Sequence, residues 1–249
     1  MEAVVIKGFP AQVSVFADSE ELSHAAAERF VSLSQAAIIA QGRFATALSG
    51  GSTPRRLYSL LGEPPYREAI DWKRVHVFWA DERCVPPSRE ESNYRLAADM
   101  FLLKAAVPVE NIHRIRGEEG AAVAAAEYQE ELRRFFSGSQ TPVFDLVILG
   151  AGVDGHIASL FPGSALLLEQ SRWVVPVYRE KPGINRVSLT LPVLNQAAHV
   201  LFLVSGKDKA DIAYKVLRSD HQKYYPAGLV QPVAGTLSWF LDEAAASRI

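Results

Sequence analysis

Asp154 and His156 stand two positions apart at the end of "ILGAGVDGH", residues 148–156. The unperturbed pKa of imidazole lies near neutrality, so His156 is the natural proton acceptor of this stretch, with Asp154 placed to orient it or stabilise its cation. Gly150, Gly152 and Gly155 allow a tight turn after the apolar run "VFDLVILG" (143–150). The spacing G-x-G-x-x-G at 150–155 also matches a dinucleotide loop, but no acidic residue closes a strand about 20 residues on, where "SRWVVPVYRE" stands. The plainer alternative is a histidine that only caps a helix.

Two further stretches carry chemistry. "ALSGGSTPRRLY" (47–58) sets Gly50, Gly51, Ser52 and Thr53 between the strand-like "RFATAL" (43–48) and a basic, amphipathic segment. Pro54 suits a first helical position, and Ser52 or Thr53 can cap the helix. Backbone N–H groups and a helix N-terminus aimed at one point are a recipe for holding phosphate. A tight turn that merely needs glycine is the bland reading. "WADERCVPPSREESNYRLA" (79–97) puts Asp81, Glu82 and Arg83 just past a strand. Such charges are costly to bury unless they pair or serve a ligand, and a solvated cluster is the usual explanation. Cys84, beside Arg83, reads as a passive thiol rather than a nucleophile.

The elements that must position these residues alternate. A helix over 18–42 opens on a capping box of Asp18 and Glu21 and ends at Gly42. A short helix runs to about Leu61 and a Pro-broken connector covers 62–73, followed by the strand "RVHVFWA" (74–80). Helices are expected at 91–106, 118–136 and 209–219, and strands at 143–150 and in "RWVVPV", "RVSLTL" and "HVLFLVSG". Strands separated by helices imply parallel pairing, and hence one α/β domain over 1–249 with a doubly wound sheet. In such sheets ligands bind outside the carboxyl ends of strands. "SGGSTP", "ADER" and "GAGVDGH" each follow a strand, so they are expected to converge on one rim.

Composition narrows the classes. The 249 residues carry 26 basic and 28 acidic side chains, a net charge of −2. That balance argues against a general nucleic-acid surface while leaving room for a local cationic pocket. One cysteine excludes an internal disulfide, "MEAVVIKGFPAQ" shows no basic region followed by a long apolar core, and no apolar run reaches membrane-spanning length. The six histidines are scattered at 24, 76, 113, 156, 199 and 221 without metal-ligand spacing. A cytoplasmic protein needing no metal and no membrane is expected, as a monomer or small homo-oligomer.

"LSGGSTPRRLY", "WADERCVPPSREESNYRLA", "ILGAGVDGHIASLFPGS", "INRVSLTLPVLNQA" and "VSGKDKA" together resemble the 6-phosphogluconolactonases, in the wider family that also holds glucosamine-6-phosphate deaminase. The resemblance implies a Rossmann-like, mainly parallel sheet flanked by helices in three α/β/α layers. It implies hydrolysis of 6-phospho-D-glucono-1,5-lactone to 6-phosphogluconate in the oxidative pentose phosphate pathway, with no cofactor. By position it puts the phosphate on Gly50, Gly51, Ser52, Thr53 and Lys209, with Arg186 as a second cation. Lys207 and Arg179 remain alternatives for the two cations. His156 matches the general base, Asp154 its neighbour and Arg83 a group beside the lactone carbonyl, with Asp81 and Glu82 also at the pocket. The deaminases carry a glutamate in "HIAFNEP", whereas "HIASLFP" here puts Phe161 at that position. Deaminase or isomerase chemistry is the runner-up, and a non-catalytic sugar-phosphate sensor is the alternative from another class.

Overall fold

A computed structural model describes residues 2–5, 11–180, 182–218 and 221–249. Strands β1 (Glu2–Val5) and β2 (Gln12–Phe16) lead into helix α1 (Ser19–Gln41). The Asp18 carboxylate accepts the N–H groups of Glu20 and Glu21, and Gly42 closes the helix at φ 81°, as expected from the capping residues. Next come β3 (Phe44–Leu48), α2 (Ser52–Leu61), β4 (Val75–Trp79), β5 (Asp81–Arg83), α3 (Asn93–Ala97) and α4 (Ala121–Phe135). The second half holds β6 (Leu146–Leu149), β7 (Val174–Val177), β8 (Arg186–Leu189), α5 (Leu191–Asn195), β9 (His199–Val204), α6 (Ala210–Leu217), β10 (Thr236–Asp242) and α7 (Glu243–Ala246).

Seven strands form one sheet in the order β1-β2-β10-β9-β6-β3-β4, parallel except for the β1–β2 pair. Helices flank it in three α/β/α layers. β3 and β6 are buried along their whole length, as their unbroken apolar sequences require of strands covered on both faces. From β3 the chain runs outward to β4 and then returns to β6 on the other side of β3. The carboxyl ends of β3 and β6 therefore flank the point where the winding reverses, the usual place for a ligand crevice.

The remaining strands depart from expectation. "RWVVPV" and "RVSLTL" supply β7 and β8, which join β5 in a separate antiparallel sheet, β5-β8-β7, covered by α4. The helix expected over 91–106 is α3 followed by a π turn at Ala98–Leu102. The strand expected over 143–150 is four residues long. Position 219 of the last expected helix lies outside the described residues. No described helix is long and apolar enough to cross a membrane.

Candidate active site

A cavity of about 190 Å³ opens at the carboxyl edge of the sheet, and the three predicted rim segments meet there. Its wall includes Gly50, Gly51, Ser52 and Thr53 after β3, Asp81 and Arg83 of β5, Gly152 and His156 after β6, Arg186 of β8, and Lys209 before α6. The structure thus brings Lys209 to the cavity and leaves Lys207 exposed outside it; likewise Arg186 lines it and the exposed Arg179 does not.

The glycine turn differs from expectation in one respect. Helix α2 starts at Ser52 with Gly51 (φ 111°) as its N-cap, and no side chain caps it. Neither Ser52 nor Thr53 therefore occupies the cap, and Pro54 is the third helical residue, still within the turn where an N–H is dispensable. The first N–H groups of α2 are left for a ligand. Gly50 has no alternative here, because a Cβ would collide with the Asn93 carboxamide.

After β6 the chain folds back on itself. Gly152 N–H donates to the His156 carbonyl at 2.9 Å, and a Cβ on Gly152 would strike the imidazole and the Asp154 carboxylate. Asp154 Oδ1 lies 2.6 Å from His156 Nδ1 and also accepts the His156 N–H at 3.1 Å. Burial works to raise the Asp154 pKa, but its hydrogen bonds from His156 prevail and hold it below the ordinary value. An ionised Asp154 fixes the proton on Nδ1, so Nε2 of the neutral ring is the acceptor. The imidazole is about one-third exposed.

The short strand β5 sorts its three charges by the two-residue period of a strand. Asp81 and Arg83 face the cavity. Glu82 does not reach it: its carboxylate turns the other way and accepts the N–H groups of Asn93 and Tyr94, each at 2.8 Å, and the Ser92 hydroxyl at 3.1 Å. Burial raises the Glu82 pKa, against the pull of its backbone hydrogen bonds. Glu82 is therefore an anchor for the start of α3 rather than a pocket residue. Asp81 is also buried, with Oδ2 accepting from Ser159 Oγ at 2.6 Å and Oδ1 from Asn93 Nδ2 at 3.1 Å.

Arg83 and Arg186 are direct cross-strand partners. Arg83 donates to the Glu91 carbonyl, Arg186 lies 4.0 Å from Asp81, and both Nε groups are buried without a hydrogen-bond partner among the described residues. Burial first, then the charge of Arg83, lowers the Arg186 pKa. Arg186 also donates to Ser159 Oγ at 3.4 Å, so each guanidinium is held at one edge only, and two partly desolvated cations with one carboxylate between them favour an anion in the cavity. The Cys84 thiol is pushed up to about 11, chiefly by burial, so it carries no thiolate at neutral pH.

Asn93 and Ser159 escaped the sequence reading. Asn93 touches Gly50 and donates to Asp81, and Ser159 ties the loop after β6 to β5. The only local trace was Ser92 as a helix cap in front of Asn93.

A doubly wound sheet with a glycine turn, two neighbouring guanidiniums and a His–Asp pair at its switch point places the chain among α/β proteins whose crevice suits a small anionic ligand. Residues 17–239 match the family described as glucosamine-6-phosphate isomerases/6-phosphogluconolactonase, and the chain belongs to that family. It is 40% identical over 253 residues to the probable 6-phosphogluconolactonase 2 of Arabidopsis thaliana, covering 96% of each chain. It is 40% identical over 200 residues to the 6-phosphogluconolactonase of Haemophilus influenzae, covering 80% of this chain and 84% of that one. The solved 6-phosphogluconolactonase of Trypanosoma brucei superposes with a TM-score of 0.87 at 28% identity, over 97% of this chain and all of the other.

Proposed function

We propose that the protein hydrolyses 6-phospho-D-glucono-1,5-lactone to 6-phosphogluconate. The observation that carries this reading is the Asp154–His156 pair opening onto the same cavity as the uncapped start of α2, Lys209, Arg83 and Arg186. The N–H groups of the Gly50–Thr53 turn, the Lys209 ammonium and the Arg186 guanidinium bind the phosphate. His156 Nε2 takes a proton from water, whose oxygen attacks the lactone carbonyl carbon. The electron pair moves onto the carbonyl oxygen, where Arg83 meets the developing charge. Collapse breaks the bond from that carbon to the ring oxygen, which takes the proton back from His156. The carboxylic acid so formed ionises in water. Phosphate binding far from the reacting carbon orients the ring for attack.

Phe161 in place of a carboxylate favours the lactonase over the deaminase reading. The test is the opening of freshly made lactone, corrected for its spontaneous rate, beside ammonia release from glucosamine 6-phosphate. Catalysed opening without ammonia is the expected result. Ammonia release, or no acceleration of opening, overturns the proposal.

A further inference from the structure

The geometry points to Phe161 as a positioning residue that holds the His156 imidazole and the Arg179 and Arg186 guanidiniums in one arrangement. This inference rests on the reading of His156 as the general base. The chain places the two rings together by a local device. Ile157 and Leu160 form an isolated antiparallel bridge, with N–H to carbonyl bonds of 3.3 and 2.8 Å in the two directions. Both side chains are fully buried. His156 and Phe161 are the next residues outward on the two arms, so strand alternation turns them together, away from the core.

The tip of this turn is fixed from outside. Ser159 Oγ donates to Asp81 at 2.6 Å and Ser159 N–H to Ser188 Oγ at 3.2 Å, which ties the tip to β5 and β8. The His156 and Phe161 rings lie 4.7 Å apart between centroids, at 34°. Asp154 fixes one edge of the imidazole, but a single hydrogen bond leaves the ring free to swing about it. The contact with Phe161 restricts that swing, and Nε2 has no protein hydrogen bond among the described residues to do so instead.

The same aromatic carries two cations. The Arg179 guanidinium carbon lies 4.1 Å from the Phe161 centroid and that of Arg186 lies 5.7 Å away. The aromatic face attracts both groups although they repel each other. A π face, rather than apolar bulk alone, is what the position requires. An aliphatic residue would fill the space but neither stack with the imidazole nor hold a guanidinium.

The experiment compares Phe161→Leu, Phe161→Met and Phe161→Tyr with wild type. Two readouts are taken: steady-state lactone opening, and the NMR resonances of the His156 ring carbons and their protons. In wild type the His156 ring protons should carry a ring-current shift, lost in the Leu and Met variants and kept in the Tyr variant. That readout is independent of activity, so failure of the lactonase reading in wild type is told apart from failure of this inference. The aliphatic variants should lose about ten- to a hundredfold in kcat, as expected when a reacting group is misplaced by a fraction of an ångström to an ångström. Their KM should change less than kcat, because the phosphate turn and Lys209 do not touch Phe161 and Arg186 keeps Asp81 and Ser159 as partners. The Tyr variant should recover most of the loss. Wild-type kcat in both aliphatic variants, a Tyr variant no better than they are, or unmoved His156 resonances would each overturn the assignment. Two aliphatic variants are used so that misfolding of one leaves the question answerable with the other.

Discussion

Arg83 and Arg186 oppose each other directly across the β5–β8 ladder, with the buried Asp81 carboxylate 4.0 Å from Arg186. Like charges at directly opposed strand positions destabilise a sheet, and one carboxylate beside Arg186 offsets only part of that repulsion, so an anion bound above the pair would be favoured. Arg186→Met removes one charge and keeps the apolar stem. Relief of the Arg83 repulsion is opposed by loss of the cation beside the buried Asp81, so unliganded protein carrying it should melt close to wild type, and 6-phosphogluconate should protect it much less. A charge-assisted contact is worth about 1.5–3 kcal/mol, so kcat/KM should fall roughly tenfold or more. A clearly less stable variant with undiminished protection by product would mean that Arg186 serves the fold and not the ligand.

Lys209 is partly buried against the cavity, with its ammonium 3.9 Å from Asp208, while Lys207 is exposed outside it. Lys209→Ala should weaken 6-phosphogluconate binding about tenfold or more, and Lys207→Ala should leave it near wild type. Calorimetric titration distinguishes the two. Gluconate without the phosphate should bind neither variant nor wild type measurably. Equal effects of the two substitutions would remove Lys209 from the phosphate site.

Much of this site was legible because its signals are local. "SGGSTP" and "GAGVDGH" follow strand-like runs and carry glycines that turn the chain, and the topology then puts both loops at the carboxyl edge. The sorting of "DER" was not legible. Which of Asp81, Glu82 and Arg83 turn into the cavity depends on β5 pairing with β8, about a hundred residues away, and no local periodicity encodes that pairing. The same holds for the second sheet as a whole. β2 and β10 pair with each other across nearly the full chain, yet "TLSWFLD" carries a strand signal of its own that the reading passed over. Asn93 became visible only through its contact with Gly50, which no spacing in the sequence reports.

In the proposed mechanism His156 is the general base. General-base catalysis typically contributes about 10²- to 10⁴-fold, so His156→Asn should lower the corrected rate by that order. Product affinity should change far less, because the phosphate contacts remain. Asp154→Asn should cost less than loss of the imidazole, since it removes only the group that fixes the tautomer. Stopped-flow detection of proton release with and without enzyme gives the catalysed rate by difference. A His156→Asn variant retaining most of its rate would move the base to a carboxylate, with Asp81, which lines the cavity wall, the first candidate.

Away from the cavity, the pair His76 and His113 sets a pH limit on stability. His76 Nδ1 lies 3.1 Å from His113 Nε2, and His113 Nδ1 lies 2.7 Å from Glu131 Oε1. The His113 ring stacks on Phe78 at 4.1 Å. Burial, then the nearby His113 and Arg43, lowers His76 from its ordinary 6.5 to about 4. Burial also lowers His113, against the pull of Glu131. Between the ordinary and the lowered value the unfolded chain binds more protons than the native one, so stability is full above about 6.5 and falls as pH drops towards about 4. Glu82 and Asp145, both raised by burial, act in the opposite sense, so total stability alone cannot isolate the histidines. The difference between wild type and His76→Gln can, because both carry the same carboxylates. Urea midpoints taken from pH 7 down to pH 5 should fall less steeply for the variant than for wild type. Equal slopes, or a steeper one in the variant, would mean that His76 is protonated in the native protein as readily as in the unfolded chain.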